Sequence, residues 1–131
     1  SHTFPDDIDI LLVGPAGQNA IIMSDVGGGG PGAAGVTLTL DDLVIPSLPD
    51  GDPLVTGTFK PTNVNPGTGG EAWPAPAPAP AGGSALSVFN GIAPNGTWSL
   101  YVVDDEGSVF VIHARPLTEN EKRSYRKRSK P

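Results

Sequence analysis

The sequence "DDEG" at residues 104–107 places two aspartates and a glutamate side by side in a turn-forming context. Calcium takes six to eight oxygen ligands, and carboxylate-rich turns are a common source of them. Asp104, Asp105 and Glu106 are therefore the candidate calcium ligands, and calcium is the one cofactor the sequence suggests. Asp6, Asp7 and Asp9 in "DDID" could add ligands if the fold brings the two stretches together. Neither stretch has the D-x-[DN]-x-[DN]-G spacing of an EF-hand. "DGD" at residues 50–52 reads as a turn.

Other chemistry finds little material. The histidines are His2 and His113. Acyl transfer needs a nucleophile beside a base, and no serine sits in G-x-S-x-G. Neither histidine lies in H-E-x-x-H. "GGGGPG" lacks the Lys-Ser/Thr of a phosphate-binding loop. Without cysteine, disulfides and thiolate metal sites are excluded. The residue types thus point to a chain that is not itself an enzyme. Trp73, beside a proline run, is either an aromatic platform for a ligand or the anchor of its loop.

The elements that must position these residues are strands. "DIDILLV" and "NAIIMSD" flank "GPAGQ", whose Pro15 and Gly17 supply turn chemistry, and form an expected hairpin. Ile8, Ile10 and Leu12 share one face of the first strand, and Leu11 and Val13 make the other face apolar too. "VTLTLDD" alternates, with Val36, Leu38 and Leu40 inward and Thr37 and Thr39 outward. "LVTGTF" is a weaker strand with a bulge expected at Gly57. "TWSLYVVDD" follows the Asn95-Gly96 turn and turns Trp98, Leu100 and Val102 to the core. "SVFVIHA" is a last short strand. Trp98, Leu100, Leu38 and Ile10 are expected in one core.

The chain holds 18 Gly and 15 Pro, concentrated in residues 27–35 and 65–83. "NPGTGGEAWPAPAPAPAGGS" cannot pair in a sheet, because its prolines lack the N–H and hold φ near −65°. It is expected to run as extended polyproline II and to cross the domain as a long loop. Short strands with Gly/Pro-rich turns indicate an all-β sandwich or barrel.

Charge divides the chain. Residues 1–114 contain 12 acidic side chains and one basic one, Lys60, a net of −11. Residues 115–131 contain seven basic and two acidic side chains, a net of +5. The body should repel nucleic acid. The tail has no apolar periodicity and is expected to stay disordered, or to form at most a marginal helix begun by a Thr118/Glu121 capping box. The domain organisation expected is a β-sandwich over 1–114 and a basic tail over 115–131. No apolar run approaches the length of a membrane span. With its non-Met start, the chain looks like a piece of something longer.

Two stretches together resemble one family. "HTFPDDIDILLVGPAGQ" is similar to the early signature, and "FNGIAPNGTWSLYVVDDEGS" to the later signature, of the P domain (P/Homo B domain) that follows the catalytic domain of subtilisin-like proprotein convertases. The resemblance covers about residues 1–108, in the right order and spacing. It implies a jelly-roll β-sandwich of the galactose-binding-like type, with no catalytic residues. It also implies an accessory role, either beside a subtilisin-like serine protease or as an interaction module of a secreted or surface bacterial protein. A carbohydrate-binding module is the third reading, from fold analogy. The expected partner is another protein or a neighbouring domain of the same polypeptide. The chain departs from the pattern at both ends. Strands before "HT" are expected to be missing, and "GSVFVIHARPL" replaces the usual last strand. An unpaired sheet edge is therefore expected near residues 109–113 unless "SVFVI" fills it.

Overall fold

The computed structural model describes residues 2–30, 32–66, 72–115 and 118. Most of the expected tail, including Glu121 of the capping box, lies outside the described residues.

The "GPAGQ" hairpin forms first in the chain. β1 (Ile8–Val13) and β2 (Asn19–Ser24) pair antiparallel. The turn closes with Gly14 N–H to Gln18 C=O at 2.8 Å and Gly17 N–H to Gly14 C=O at 3.0 Å. The register shifts between Ile10, opposite Met23, and Leu11, opposite Ile21, so Ile22 is the extra residue of a β-bulge. "VTLTLDD" contributes β3 (Leu38–Leu40), and "LVTGTF" contributes β4 (Gly57–Phe59). These two pair parallel, with Leu38 opposite Gly57 and no register shift. The bulge expected at Gly57 is absent; the strand instead starts there. β5 (Thr62–Asn63) lies parallel to the end of β2. β6 (Trp98–Asp104) pairs antiparallel with β1, and β7 (Val109–Ala114) pairs antiparallel with β6. The result is a mixed five-stranded sheet of order β5-β2-β1-β6-β7 beside the two-stranded β3-β4 sheet. Among the described residues the fold is all-β apart from 3-10 turns at Pro5–Asp7 and Leu86–Phe89.

"SVFVI" does fill the last place in the sheet, as β7, and β7 then becomes an edge strand.

The core between the two sheets contains Met23, Val26, Leu48 and Leu54, with Ile8, Ile10, Leu38, Leu40, Phe59 and Val64 packed against it. Ile10 and Leu38 thus share one core, as expected. Trp98 and Leu100 do not belong to that cluster, and both are only partly buried. Trp98 packs on Phe89, with ring centroids 5.1 Å apart, and its indole N–H donates to Pro94 C=O at 3.0 Å. The most buried residues of the central strands lie on the other face. Leu11 is opposite Tyr101, Asp9 opposite Val103 and Val13 opposite Ser99. Of these, Leu11, Val103, Asp9 and Ser99 are at most 9% exposed. Each fully buried aliphatic contributes about 1.5–3 kcal/mol. The expectation of a single inward face on β6 therefore fails, because the central sheet is covered on both faces.

The Ala-Pro segment crosses the domain, as expected. The Asn19 side chain donates to Ala79 C=O at 3.3 Å and accepts from Ala81 N–H at 2.7 Å. Ile21 N–H then donates to Gly83 C=O at 2.9 Å. The loop thus continues along the edge of β2 that β5 leaves open. Its run is not uniformly extended, because a turn closes from Ala77 N–H to Pro74 C=O at 3.0 Å. In the Gly-rich loop, Gly28 has φ +59°, and a Cβ there would lie 2.5 Å from Gly51 O. Only glycine permits so close a backbone approach in that conformation.

Candidate interaction surface

The best-defined exposed feature is the loop after β3. Asp41 N–H donates to Phe59 C=O at 2.9 Å, extending the β3-β4 ladder by one residue. The Asp41 carboxylate accepts Leu43 N–H at 2.8 Å. Such Asx-type bonds let a short side chain replace a backbone partner in a turn. The Asp42 carboxylate reaches a distant element, accepting Leu86 N–H at 2.9 Å and Ser87 N–H at 2.7 Å. Those amides open the second 3-10 turn, where orphan N–H groups and the local dipole favour an anion. At the far end of the loop, Pro46 C=O accepts Lys60 N–H at 2.7 Å. The loop is thus fixed at both ends while Leu43 and Ile45 are each 91% exposed. Two large aliphatics exposed two residues apart on an anchored loop offer apolar surface for a contact with another protein. The spacing Leu43-x-Ile45 after "DD" resembles an ordinary buried alternation, so sequence reasoning passed over it.

The candidate calcium residues lie in the β6–β7 turn. Gly107 N–H donates to Asp104 C=O at 2.8 Å, and Asp104 N–H donates to Ser108 C=O at 3.2 Å. Gly107 has φ +80°. The Asp104 carboxylate accepts Ser108 N–H at 2.8 Å, so one oxygen already caps its own turn. Ile8 is opposite Asp104, and this register carries Asp6 and Asp7 toward the turn. Burial, then the charges of Asp50, Asp7 and Asp105, hold the Asp6 carboxyl above its ordinary range. The two acidic stretches therefore do meet, and Asp50 joins them. Asp9 stands apart, buried on β1 beside Val103. Among the described residues, no three carboxylate or histidine side chains converge as a metal site.

His2 closes a local turn, its Nδ1 2.7 Å from Phe4 O and 3.2 Å from Phe4 N. Ser99 Oγ lies 2.8 Å from His113 Nδ1, a contact that the 14-residue separation hides in the sequence. The two residues are directly opposite on β6 and β7. Ser99 is only 9% exposed, so the geometry is that of a satisfied cross-strand polar pair rather than an accessible nucleophile. Trp73 is partly buried, and its indole nitrogen is enclosed, which fits a loop anchor. A cavity of about 440 Å³ is lined by Ile8, Ile10, Met23, Val36, Leu38 and Leu54, with His2 among the lining residues. It lacks the convergent polar groups that orient a small-molecule ligand.

No helix among the described residues is long and apolar enough to cross a membrane. Comparison of the chain with known protein families, with curated proteins and with solved structures returned no match.

Proposed function

We propose that this chain is a non-catalytic accessory or interaction module of a secreted or cell-surface bacterial protein, folded as a P-domain-like jelly-roll sandwich. It docks on a protein partner or on the domain that adjoins it in the same polypeptide. The observation that carries this reading is the pair Leu43 and Ile45, 91% exposed on a loop pinned by two carboxylates. The pairing of β1 with β6 supports it further: the two P-domain-like stretches, distant in sequence, lie side by side over six residue pairs.

A second reading uses the same surface. Here the adjoining domain is a subtilisin-like serine endopeptidase, and the module stabilises it. The carbohydrate-binding reading has less support, since the Trp73 indole nitrogen is enclosed.

The test is to express this chain joined to its natural neighbouring domain, with Leu43→Asp and Ile45→Asp. Both sites are exposed, so the module itself should melt within about 0.5 kcal/mol of the parent. The neighbour's melting temperature should fall, and a protease neighbour should lose half-life. An unchanged neighbour would remove this surface from the proposal.

A further inference from the structure

Strand β7 is "VFVIHA". It is an edge strand, and among the described residues no strand pairs with its outer side. Natural edge strands are usually blunted by Lys, Pro, a bulge or an inward charge, because an open edge templates pairing with another chain. β7 has none of these: it pairs with β6 without a register shift, and its six residues include no charged side chain and no proline. Phe110 and Ile112 are 61% and 58% exposed on one face. The ladder also tells which backbone groups are open. Asp104 N–H bonds Ser108 C=O, and antiparallel pairs alternate between bonded and non-bonded. Phe110, Ile112 and Ala114 therefore bond β6, and the N–H and C=O groups of Val109, Val111 and His113 point outward.

Charge selects the occupant. The acidic turn Asp104-Asp105-Glu106 leads into the start of β7, and Arg115 follows its end. A strand with an acidic start and a basic end is complementary to itself when reversed. The body's net charge of −11 opposes association only weakly, because exposed charges are screened beyond about 8–10 Å.

We propose that the outer edge of β7 is a self-association surface, and that two copies of this chain pair antiparallel through it about a two-fold axis at Val111. In this register Val111 pairs with itself and exchanges two backbone hydrogen bonds. Phe110 stands opposite the partner's Ile112, an aromatic–β-branched pair of the kind that stabilises sheets. Glu106 comes beside the partner's Arg115. The same patch serves both copies, as a two-fold interface requires. The surface uses residues other than Leu43 and Ile45, and it holds or fails independently of the accessory role.

The test uses the full chain in sedimentation and native mass measurements. Dimer is expected at tens of micromolar, a range set by a small interface. Ile112→Lys and Phe110→Lys, both at exposed positions, should each weaken it about 10-fold or more with unchanged melting of the monomer. Asp105→Lys with Glu106→Lys should also weaken it, whereas strengthening would overturn the antiparallel orientation. The chain has no cysteine, so Val111→Cys provides a direct probe. A hydrogen-bonded antiparallel pair has Cα atoms about 5.5 Å apart, inside the range of about 4.4–6.8 Å that a disulfide spans. Mild oxidation should give disulfide-linked dimer from Val111→Cys. Val109→Cys should give none, since its copies would lie roughly 14 Å apart, four residues at about 3.4 Å. A chain that stays monomeric to about 500 μM, or equal cross-linking at both positions, overturns the proposal and leaves the edge to a strand of a different protein.

Discussion

Leu11→Ala should destabilise this protein more than Trp98→Ala, although the removed side chain is much smaller. Leu11 is 0% exposed at the centre of the five-stranded sheet, paired with Ile21 on one side and Tyr101 on the other. Removing its terminal isopropyl group loses about three methylene equivalents, roughly 2.4 kcal/mol at 0.8 kcal/mol each. The two paired strands cannot close around the gap, so a cavity penalty of about 24 cal/mol per Å³ adds to that. The sum falls at about 3–5 kcal/mol. Trp98 is partly exposed on a strand end. Its loss removes one ring contact with Phe89, worth about 0.5–1.5 kcal/mol. It also removes one hydrogen bond to Pro94, worth about 1 kcal/mol. Some partial burial is lost as well, for a total near 2–3 kcal/mol. Urea unfolding followed by far-ultraviolet circular dichroism measures both, provided the denaturant slopes agree. A Leu11→Ala cost below about 1 kcal/mol, or a larger cost for Trp98→Ala, would refute the two-sided burial of the central sheet.

Asp6 binds its proton more tightly in the folded chain than in the unfolded one. Between roughly pH 4, the unfolded value, and the higher folded value, the native state holds more protons. Stability from this group therefore falls as pH rises through that window and stays lower above it. Asp6→Asn should flatten the fall in a melting-temperature series from pH 3 to 7 and leave the neutral-pH melting temperature equal or higher. For calcium, the acidic turns lie near one another but no three of their carboxylates converge among the described residues, so millimolar calcium is expected to raise the melting temperature no more than sodium chloride at matched ionic strength. A larger rise, abolished by Asp104→Asn with Asp105→Asn, would establish a site there. Asp42→Ala should cost about 1 kcal/mol, as for loss of a helix cap, measured by denaturant midpoint; Asp41→Ala, which breaks one local bond, should cost less.

Much of the strand pattern was legible because it rests on local chemistry. Pro15 and Gly17 could only serve a turn, so β1 and β2 had to fold back on each other. The Thr37/Leu38/Thr39/Leu40 alternation matches the pleat, and the observed exposure follows it. The prolines of 74–80 barred that segment from a ladder, and it became a crossing loop. The acidic turn was legible as a turn, since Gly107 supplies its positive φ.

What sequence could not supply was which strands lie together and what covers each face. A period of two shows that faces differ, but not which one is buried deeper when both are apolar. β6 therefore suggested Trp98 and Leu100 as core, while the fold buried Ser99 and Val103. The Ser99–His113 contact, the Asp42 grip on Leu86 and the proximity of Asp6 to Asp50 and Asp105 join residues separated by between 14 and 99 positions. The exposure of Leu43 and Ile45 was hidden for the same reason. Apolar residues beside a strand look like core until the neighbouring layer is placed, and that layer here stops at Leu40 and Phe59. The chain's local chemistry determined its turns and strands; only long-range pairing decided which apolar side chains were left facing water.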